Sequence, residues 1–279
     1  MIVVIAMHKI EAINNIHSYE SNEIKALSEK LIEDLKNGCL ALAFQRVVAF
    51  DRINIISCLY YEVLLRRSVD FEVNYLSCGE GIKALELMNK VEQLDFSVIW
   101  TTIHTLKLNT LQKIGCNISA LTFKKSSNWN FIIFFLEKNK SISERLFIEI
   151  TETSEFSDKN ESLILIKRLK NTGVKIVIDD YGKYNSNTEL IELINPDVVK
   201  IDRSLLAKSR DSIFLLKKVI ESCHRVTDCV IVEGVESELD LKIAHNAGAQ
   251  GVQGFYIHRP TLRTEWISKS IVKVTNIFV

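Results

Sequence analysis

The chain has few of the residues that break or staple a fold. Two prolines, Pro196 and Pro260, and ten glycines are spread over 279 residues, so no Pro/Gly-rich linker divides it. The six cysteines, at 39, 58, 78, 116, 223 and 229, contain no CxxC pair and no zinc-ligand spacing. They read as reduced, mostly buried thiols rather than a disulfide framework. Charge of either sign is not in excess: Lys+Arg and Asp+Glu number 35 each. Without a net charge there is no long-range field to draw in polymeric nucleic acid or a charged membrane surface. No apolar run approaches the ~20 residues of a spanning helix. The apolar start, Met1 to Met7, has no basic segment before it, which argues against an export signal. The expectation is a cytoplasmic protein that does not engage membranes.

What is present is a globular composition, 47% hydrophobic and 25% charged, in a length that suits one barrel domain. The most informative spot is Asp179-Asp180, which ends the apolar run Val174–Ile178 and precedes Tyr181-Gly182. Two like charges side by side destabilise a fold unless a cation neutralises them. The same pattern, an apolar run ending in a carboxylate or amide, recurs at Asn117, Glu149 to Glu152, Lys200 to Asp202, and Glu233 to Glu236.

Helical spacing of Ile24, Leu27, Leu31, Ile32 and Leu35, closed by Gly38, predicts an N-terminal extension over 1–38, ahead of a barrel domain over 39–279. Strand-like runs at 40–50 and 53–65 predict a hairpin or a sequential pair, and 83–106 reads as helix. Strands are then expected near 113–118, 145–151, 174–179, 197–202, 229–233 and 252–257. They alternate with helices near 129–138, 160–171, 187–193, 211–225, 237–247 and 263–272. Unbroken Val/Ile runs predict parallel strands covered on both faces. The polar strand ends recur every 20 to 33 residues, against ~31 per unit in an eight-unit barrel of ~250 residues. A modified (β/α)8 barrel is the first choice and an open doubly wound sheet the second. Both put a ligand site at the carboxyl ends of the strands.

The barrel reading brings Glu62, Asn117, Glu149, Asp179, Asp180, Lys200, Glu233 and Gln253 to one rim. Five carboxylates without histidine or thiol suit Mg²⁺ or Mn²⁺. They are numerous enough for two ions of the kind that clamp a phosphoryl group. Lys200 offers a fixed positive charge, and Arg66 a bidentate phosphate donor.

These residues resemble the EAL-domain family, bacterial phosphodiesterases that hydrolyse cyclic di-GMP to linear pGpG. The namesake motif stands as Glu62-Val63-Leu64-Leu65-Arg66. Asn-Leu-Ser reads Asn117-Ile118-Ser119, Glu-x-Thr-Glu reads Glu149 to Glu152, and Asp-Asp-Phe-Gly reads Asp179-Asp180-Tyr181-Gly182. Lys200-Ile201-Asp202, Glu233 to Glu236 and Gln253-Gly254 complete seven ordered motifs over roughly 40 to 265, and an upstream Gln-Pro-Ile is reduced to Gln45-Arg46-Val47. The resemblance implies that Glu62, Asn117, Glu149 and Asp179 bind metal, with Asp180 at a second ion. It implies that Lys200 and Glu233 position or activate water, and that Gln45, Arg66 and Gln253 contact the dinucleotide. Glu152 and Glu236 are implied to brace the loop beyond the aspartates. It also implies a homodimer and leaves room for a regulatory protein partner. The sequence departs from the family just past the aspartates, where Thr-Gly-Tyr-Ser is replaced by Lys183-Tyr184-Asn185-Ser186. That change bears on rate and regulation and opens the alternative of an EAL-like receptor or protein-binding regulator.

Taken singly, each residue has an ordinary explanation. An aspartate pair can cap a helix, an asparagine can make a turn, and Glu233/Glu236 can complement a helix dipole. Their order and spacing argue for the site. His104, His224, His245 and His258 lack a partner at ligand spacing, and Trp100 and Trp129 fit helix packing.

Overall fold

The computed structural model describes residues 21–50, 56–69, 74–151, 156–183, 188–262, 264, 266 and 271–276. A first helix, α1, spans 21–36 and buries Leu31 and Leu35. The hairpin β1 (Leu40–Phe50) and β2 (Ile56–Ser68) follows, and then a short β3 (Tyr75–Ser77). Helices α2 (Gly79–Leu87) and α3 (Glu92–Leu108) precede β4 (Ile114–Ile118), and α4 (Ser127–Lys138) and α5 (Lys140–Ser143) lead to β5 (Leu146–Thr151). The remainder alternates as α6 (Lys159–Thr172), β6 (Lys175–Tyr181), α7 (Thr188–Ile194), β7 (Val198–Ile201), α8 (Arg203–Lys208), α9 (Phe214–Cys223), β8 (Val230–Val232), α10 (Glu238–Asn246) and β9 (Gly251–Val252).

The sheet order is β1-β9-β8-β7-β6-β5-β4-β2-β3, and an additional β1–β2 pairing closes an eight-stranded barrel with β3 appended to β2. All neighbours from β2 through β4 to β9 are parallel, whereas β1 runs antiparallel to both β2 and β9. One reversed strand is the modification of the (β/α)8 plan. It replaces a crossover helix with a direct hairpin, which only an antiparallel pair can make.

Side chains alternate across each strand, and the alternation sorts the core in two. Ile148, Ile150, Ile176, Ile178, Val199 and Val232 face outward and pack beneath the helices in the main apolar cluster. Val47, Tyr60, Phe147, Val177, Val198 and Ile231 form a separate cluster inside the barrel. Tyr60 and Phe147 stack there with centroids 4.3 Å apart. Two residues further up each strand come Gln45, Glu62, Glu149, Asp179, Lys200 and Glu233. The polar site is therefore the rung above an apolar plug, as expected of a barrel filled in layers.

Local signals set the helix ends. Ser126, Asp158 and Ser237 accept hydrogen bonds from Trp129, Glu161 and Asp240 backbone N–H groups, satisfying donors that the first turn leaves open. Several sequence expectations need correction. The helix expected over 83–106 is two helices, α2 and α3, parted by 88–91 with Asn89 at φ 53°. The strand expected at 252–257 stops at Val252. Beyond it, Ile257 and His258 N–H groups turn back to the Gly254 carbonyl. The helix expected at 211–225 is α9 alone, and α8 lies outside the expected helices: Asp202, just past β7, caps it by accepting from the Ser204 N–H. Of 263–272, the described residues 264, 266, 271 and 272 are not helical.

Candidate active site

Lys200 sits at the centre of the polar rung and is completely buried. Its Nζ lies 3.0 Å from Glu62 Oε2, 2.8 Å from Glu149 Oε2, 3.0 Å from Asp179 Oδ1 and 2.9 Å from Glu233 Oε1. An ammonium has three N–H donors, so four carboxylates exceed what it can satisfy. Asn117 Nδ2 and Gln253 Nε2 each donate to Glu62, at 2.6 Å, and Gln253 also donates to Gln45 Oε1 at 3.1 Å. Gln45 is anchored in turn by donating to the His258 carbonyl. Every strand of the closed barrel, or the residue just past it, thus contributes to one connected cluster.

The register explains the gathering. Gln45 faces Glu62 across the hairpin, and Asn117 is level with Glu149 on adjacent parallel strands. Gly115 leaves the room that Glu149 and Tyr60 need. A Cβ there would lie 2.7 Å from both Glu149 Oε1 and Tyr60 Cε2. Gly234, at φ 73°, brings the turn after Glu233 so close to Arg203 that a Cβ would sit 2.3 Å from the Arg203 Cβ. An L side chain meets both a steric and a conformational barrier at that position.

The electrostatics follow from burying four acids around one base. Burial pushes Glu149 well above the usual carboxylate range, beyond what Lys200 offsets, and Glu62 and Asp179 add to the rise. Burial likewise lifts Asp179 to about 6 and Glu233 to about 8 against the pull of Lys200. At Glu62 burial acts in the same direction, but Lys200 and the hydrogen bonds from Gln253, Lys200 and Asn117 win, and its pKa is lowered. Burial opposes the charge on Lys200, yet Asp179, Glu149, Glu233 and Glu62 hold it well above the usual lysine range. The rung is short of positive charge.

The donor set fits a hard divalent cation. Glu62, Glu149 and Asp179 can each offer one oxygen with all three within 4.8 Å of one another. Among the described residues Asn117 Oδ1 and Glu149 Oε1 are buried oxygens with no hydrogen-bond partner, a costly condition for which a cation is one remedy. An all-oxygen set is what magnesium, manganese or calcium takes.

Asp180 does not join its neighbour. It adopts φ 57° within a register shift of β6 between Ile178 and Tyr181, and its Oδ2 pairs with Lys183 Nζ at 2.9 Å. Both aspartates line the first cavity, but they face different ammonium groups, Asp179 that of Lys200 and Asp180 that of Lys183. Two cavities of about 640 and 550 Å³ open on the rung, and both are lined by Glu62, Asp180 and Lys183. Arg66 lines the first, half-buried, with Nη1 donating to the Leu65 carbonyl. Glu236 lines the second with its backbone N–H on Asp240. Glu152, Tyr184, Asn185 and Ser186 lie outside the described residues. Sequence reasoning missed Asp95, a buried acid behind the first cavity. Its Oδ2 accepts from the Ser119 N–H and the Thr122 hydroxyl, tying α3 to the turn that follows Asn117. The signal was present as a lone aspartate in the apolar stretch Leu94–Ile99.

The EAL domain model matches residues 27–260. The chain belongs to the EAL domain family. Among curated proteins it is 24% identical over 209 residues to PdeA of Escherichia coli K12, named a probable cyclic di-GMP phosphodiesterase. That match covers 72% of this chain and 28% of the relative. It is 35% identical over 130 residues to the cyclic di-GMP phosphodiesterase TpdA of Vibrio parahaemolyticus, covering 46% of this chain and 23% of the relative. The EAL domain thus spans about a quarter of the length of these curated relatives. Among solved structures, the Xanthomonas citri FimX EAL domain in complex with c-diGMP superposes with a TM-score of 0.71 at 18% identity, covering 91% of this chain and 99% of that one. This EAL barrel shares their fold. Among its described residues no helix is long and apolar enough to cross a membrane.

Proposed function

We propose that this EAL domain is a metal-dependent phosphodiesterase that hydrolyses cyclic di-GMP to linear pGpG. The observation that carries the reading is the buried trio Glu62, Glu149 and Asp179, converging beneath two open cavities with orphaned oxygens beside them. Glu62, Asn117, Glu149 and Asp179 would hold one Mg²⁺ or Mn²⁺, and Asp180 stands toward a second. Such an ion, when bound, withdraws charge from a phosphoryl oxygen and acidifies water. Lys200 keeps the four carboxylates at one height and, through Glu233 and Asp179, helps position the attacking water. Glu233, at the edge of the second cavity with its side chain 19% exposed, accepts the proton of the attacking water. Gln45 and Gln253 orient the dinucleotide from the β1 and β9 side and Arg66 from the β2 side, while Glu152 and Glu236 brace the loop past the aspartates. Pairing as a homodimer, binding of a regulatory protein, a cytoplasmic location and a domain boundary at Gly38 belong to the same reading.

Incubating the protein with cyclic di-GMP and either Mg²⁺ or Mn²⁺ tests it; an absence of pGpG with both ions sinks it. Glu149→Gln removes a buried charge while keeping shape. Turnover is expected to fall by at least about a hundredfold, with the metal-free protein no less stable, because the substitution relieves the burial of an acid. The second reading, a nucleotide receptor without turnover, is favoured by the lysine seated on Asp180. Tight nucleotide binding with no product separates it from the first.

A further inference from the structure

Asp179 and Asp180 are adjacent in sequence, but each faces its own ammonium. Asp179 Oδ1 lies 3.0 Å from the buried Lys200, and Asp180 Oδ2 lies 2.9 Å from the exposed Lys183. Two further features fix the outer pair. The Lys183 backbone N–H donates to the Asp180 carbonyl at 3.2 Å, closing a tight turn. Asp180 has φ 57° within the register shift that ends β6, so the turn to Lys183 starts at the aspartate itself. Asp202 stands close to both. Burial raises its pKa, but Ser204, then Lys183 and a hydrogen bond with Asp180, hold it below the usual range. Because Asp180 and Lys183 line both cavities, this ammonium lies at their junction, next to carboxylates that would otherwise face each other unneutralised.

We propose that Lys183 is a tethered cation that occupies the outer cation position beside Asp180, so that the site binds one divalent ion tightly and a second only weakly. The proposal rests on the reading of Glu62, Asn117, Glu149 and Asp179 as holding the first ion. The physical basis is competition. A second divalent ion must displace an ammonium already paired with Asp180 and then share the junction with its positive charge. The side chain is 39% exposed and flexible, so the effect is a weakening of the second ion rather than its exclusion. The inner and outer acids are thereby given different preferences: an inner rung short of positive charge and an outer pair already supplied with it.

Titration of the intact chain with Mn²⁺ alone, reading free Mn²⁺ by electron paramagnetic resonance and heat by calorimetry, tests this without turnover. One tight ion is expected in the wild type. In Lys183→Met, which keeps the length and removes the charge, a second ion is expected to bind about tenfold tighter. The gain should shrink at high salt. Lys183→Arg keeps the charge and should behave as the wild type. Two tight ions in the wild type, or no change in Lys183→Met, overturn the tethered-cation proposal while leaving the first ion standing. An equal gain in Lys183→Met and Lys183→Arg also overturns it, because charge would then not be the cause. No bound ion in any of the three overturns the metal reading and this inference together.

Discussion

Lys200 has no exposure and meets four carboxylates, whereas Lys183 has a side chain 39% exposed and pairs with Asp180 at 2.9 Å. The two lysines serve neighbouring aspartates, Asp179 and Asp180, so sequence distance does not explain their difference. Solvent does. An exposed pair is worth ~0–1 kcal/mol, because water screens it and two flexible side chains must be held still. A buried charge cannot be left alone: removing one partner of a buried pair costs about 3–5 kcal/mol. Lys200 is thus a structural requirement of the metal-free barrel, and Lys183 is an exchangeable counter-charge.

The largest expected effect comes from breaking the inner half of this comparison. Lys200→Met should destabilise the metal-free protein by about 3–5 kcal/mol in urea unfolding at neutral pH, and added Mg²⁺ should restore part of it. A loss under about 1 kcal/mol would make the two lysines equivalent and the comparison void. Next comes Gly115→Ala, which leaves all charges in place and disturbs only their fit. The new methyl group must push Glu149 or Tyr60, so a cost of about 1–3 kcal/mol is expected, together with weaker Mn²⁺ binding. Unchanged Mn²⁺ affinity would show that the height of Glu149 does not matter.

Asp95 sharpens the same comparison, being a buried acid with no lysine within 4 Å of it among the described residues. Burial raises its pKa to about 8, the Thr122 and Ser119 hydrogen bonds hold it back, and Glu86 and Glu92 add to the rise. A raised acid pKa means that the folded state binds more protons than the unfolded state between the two values. This contribution to stability is therefore full below about pH 4 and is lost as pH rises through about 8. Asp95→Asn should flatten that part of the curve and make the variant the more stable protein at pH 9. Equal slopes between pH 5 and 9 would reject the shift. The smallest effect belongs to Lys183→Met, expected to alter unfolding stability by less than about 1 kcal/mol. A larger loss would place Lys183 with Lys200.

Much of the candidate site was legible because barrel geometry repeats. Asn117, Glu149, Asp179, Lys200, Glu233 and Gln253 each follow an apolar run at intervals of 20 to 33 residues, and parallel strands place such positions on one level; Glu62, 55 residues before Asn117, was legible through its motif. Gln45 was legible only from its reduced motif, and the antiparallel register of the hairpin, which sets it opposite Glu62, brings it to the rung. The pairing of Asp180 with Lys183 was not legible, since it depends on the positive φ and register shift at the end of β6. The complementarity of Gly115 and Tyr60 was invisible, since a glycine and a tyrosine 55 positions apart carry no joint pattern until the strands pair. Helix 83–106 was over-extended because the apolar spacing runs on across Met88 to Val91, where Asn89 takes the left-handed conformation.

The closure of the barrel between β1 and β9 has a consequence in time. Gln45 and Gln253, which share a hydrogen bond inside the rung, are 208 residues apart, and Glu62 and Gln253 are 191 apart. Contacts so distant along the chain form late, because loop closure precedes any gain from them. At ~5–20 residues per second on the ribosome, roughly 10–40 s separate the emergence of the two strands. Through that interval the β1–β2 hairpin carries an unpaired edge, the kind of edge on which strands from other chains can add. A nascent chain can form its plug of Val47, Tyr60 and Phe147 before it owns a complete rung above it.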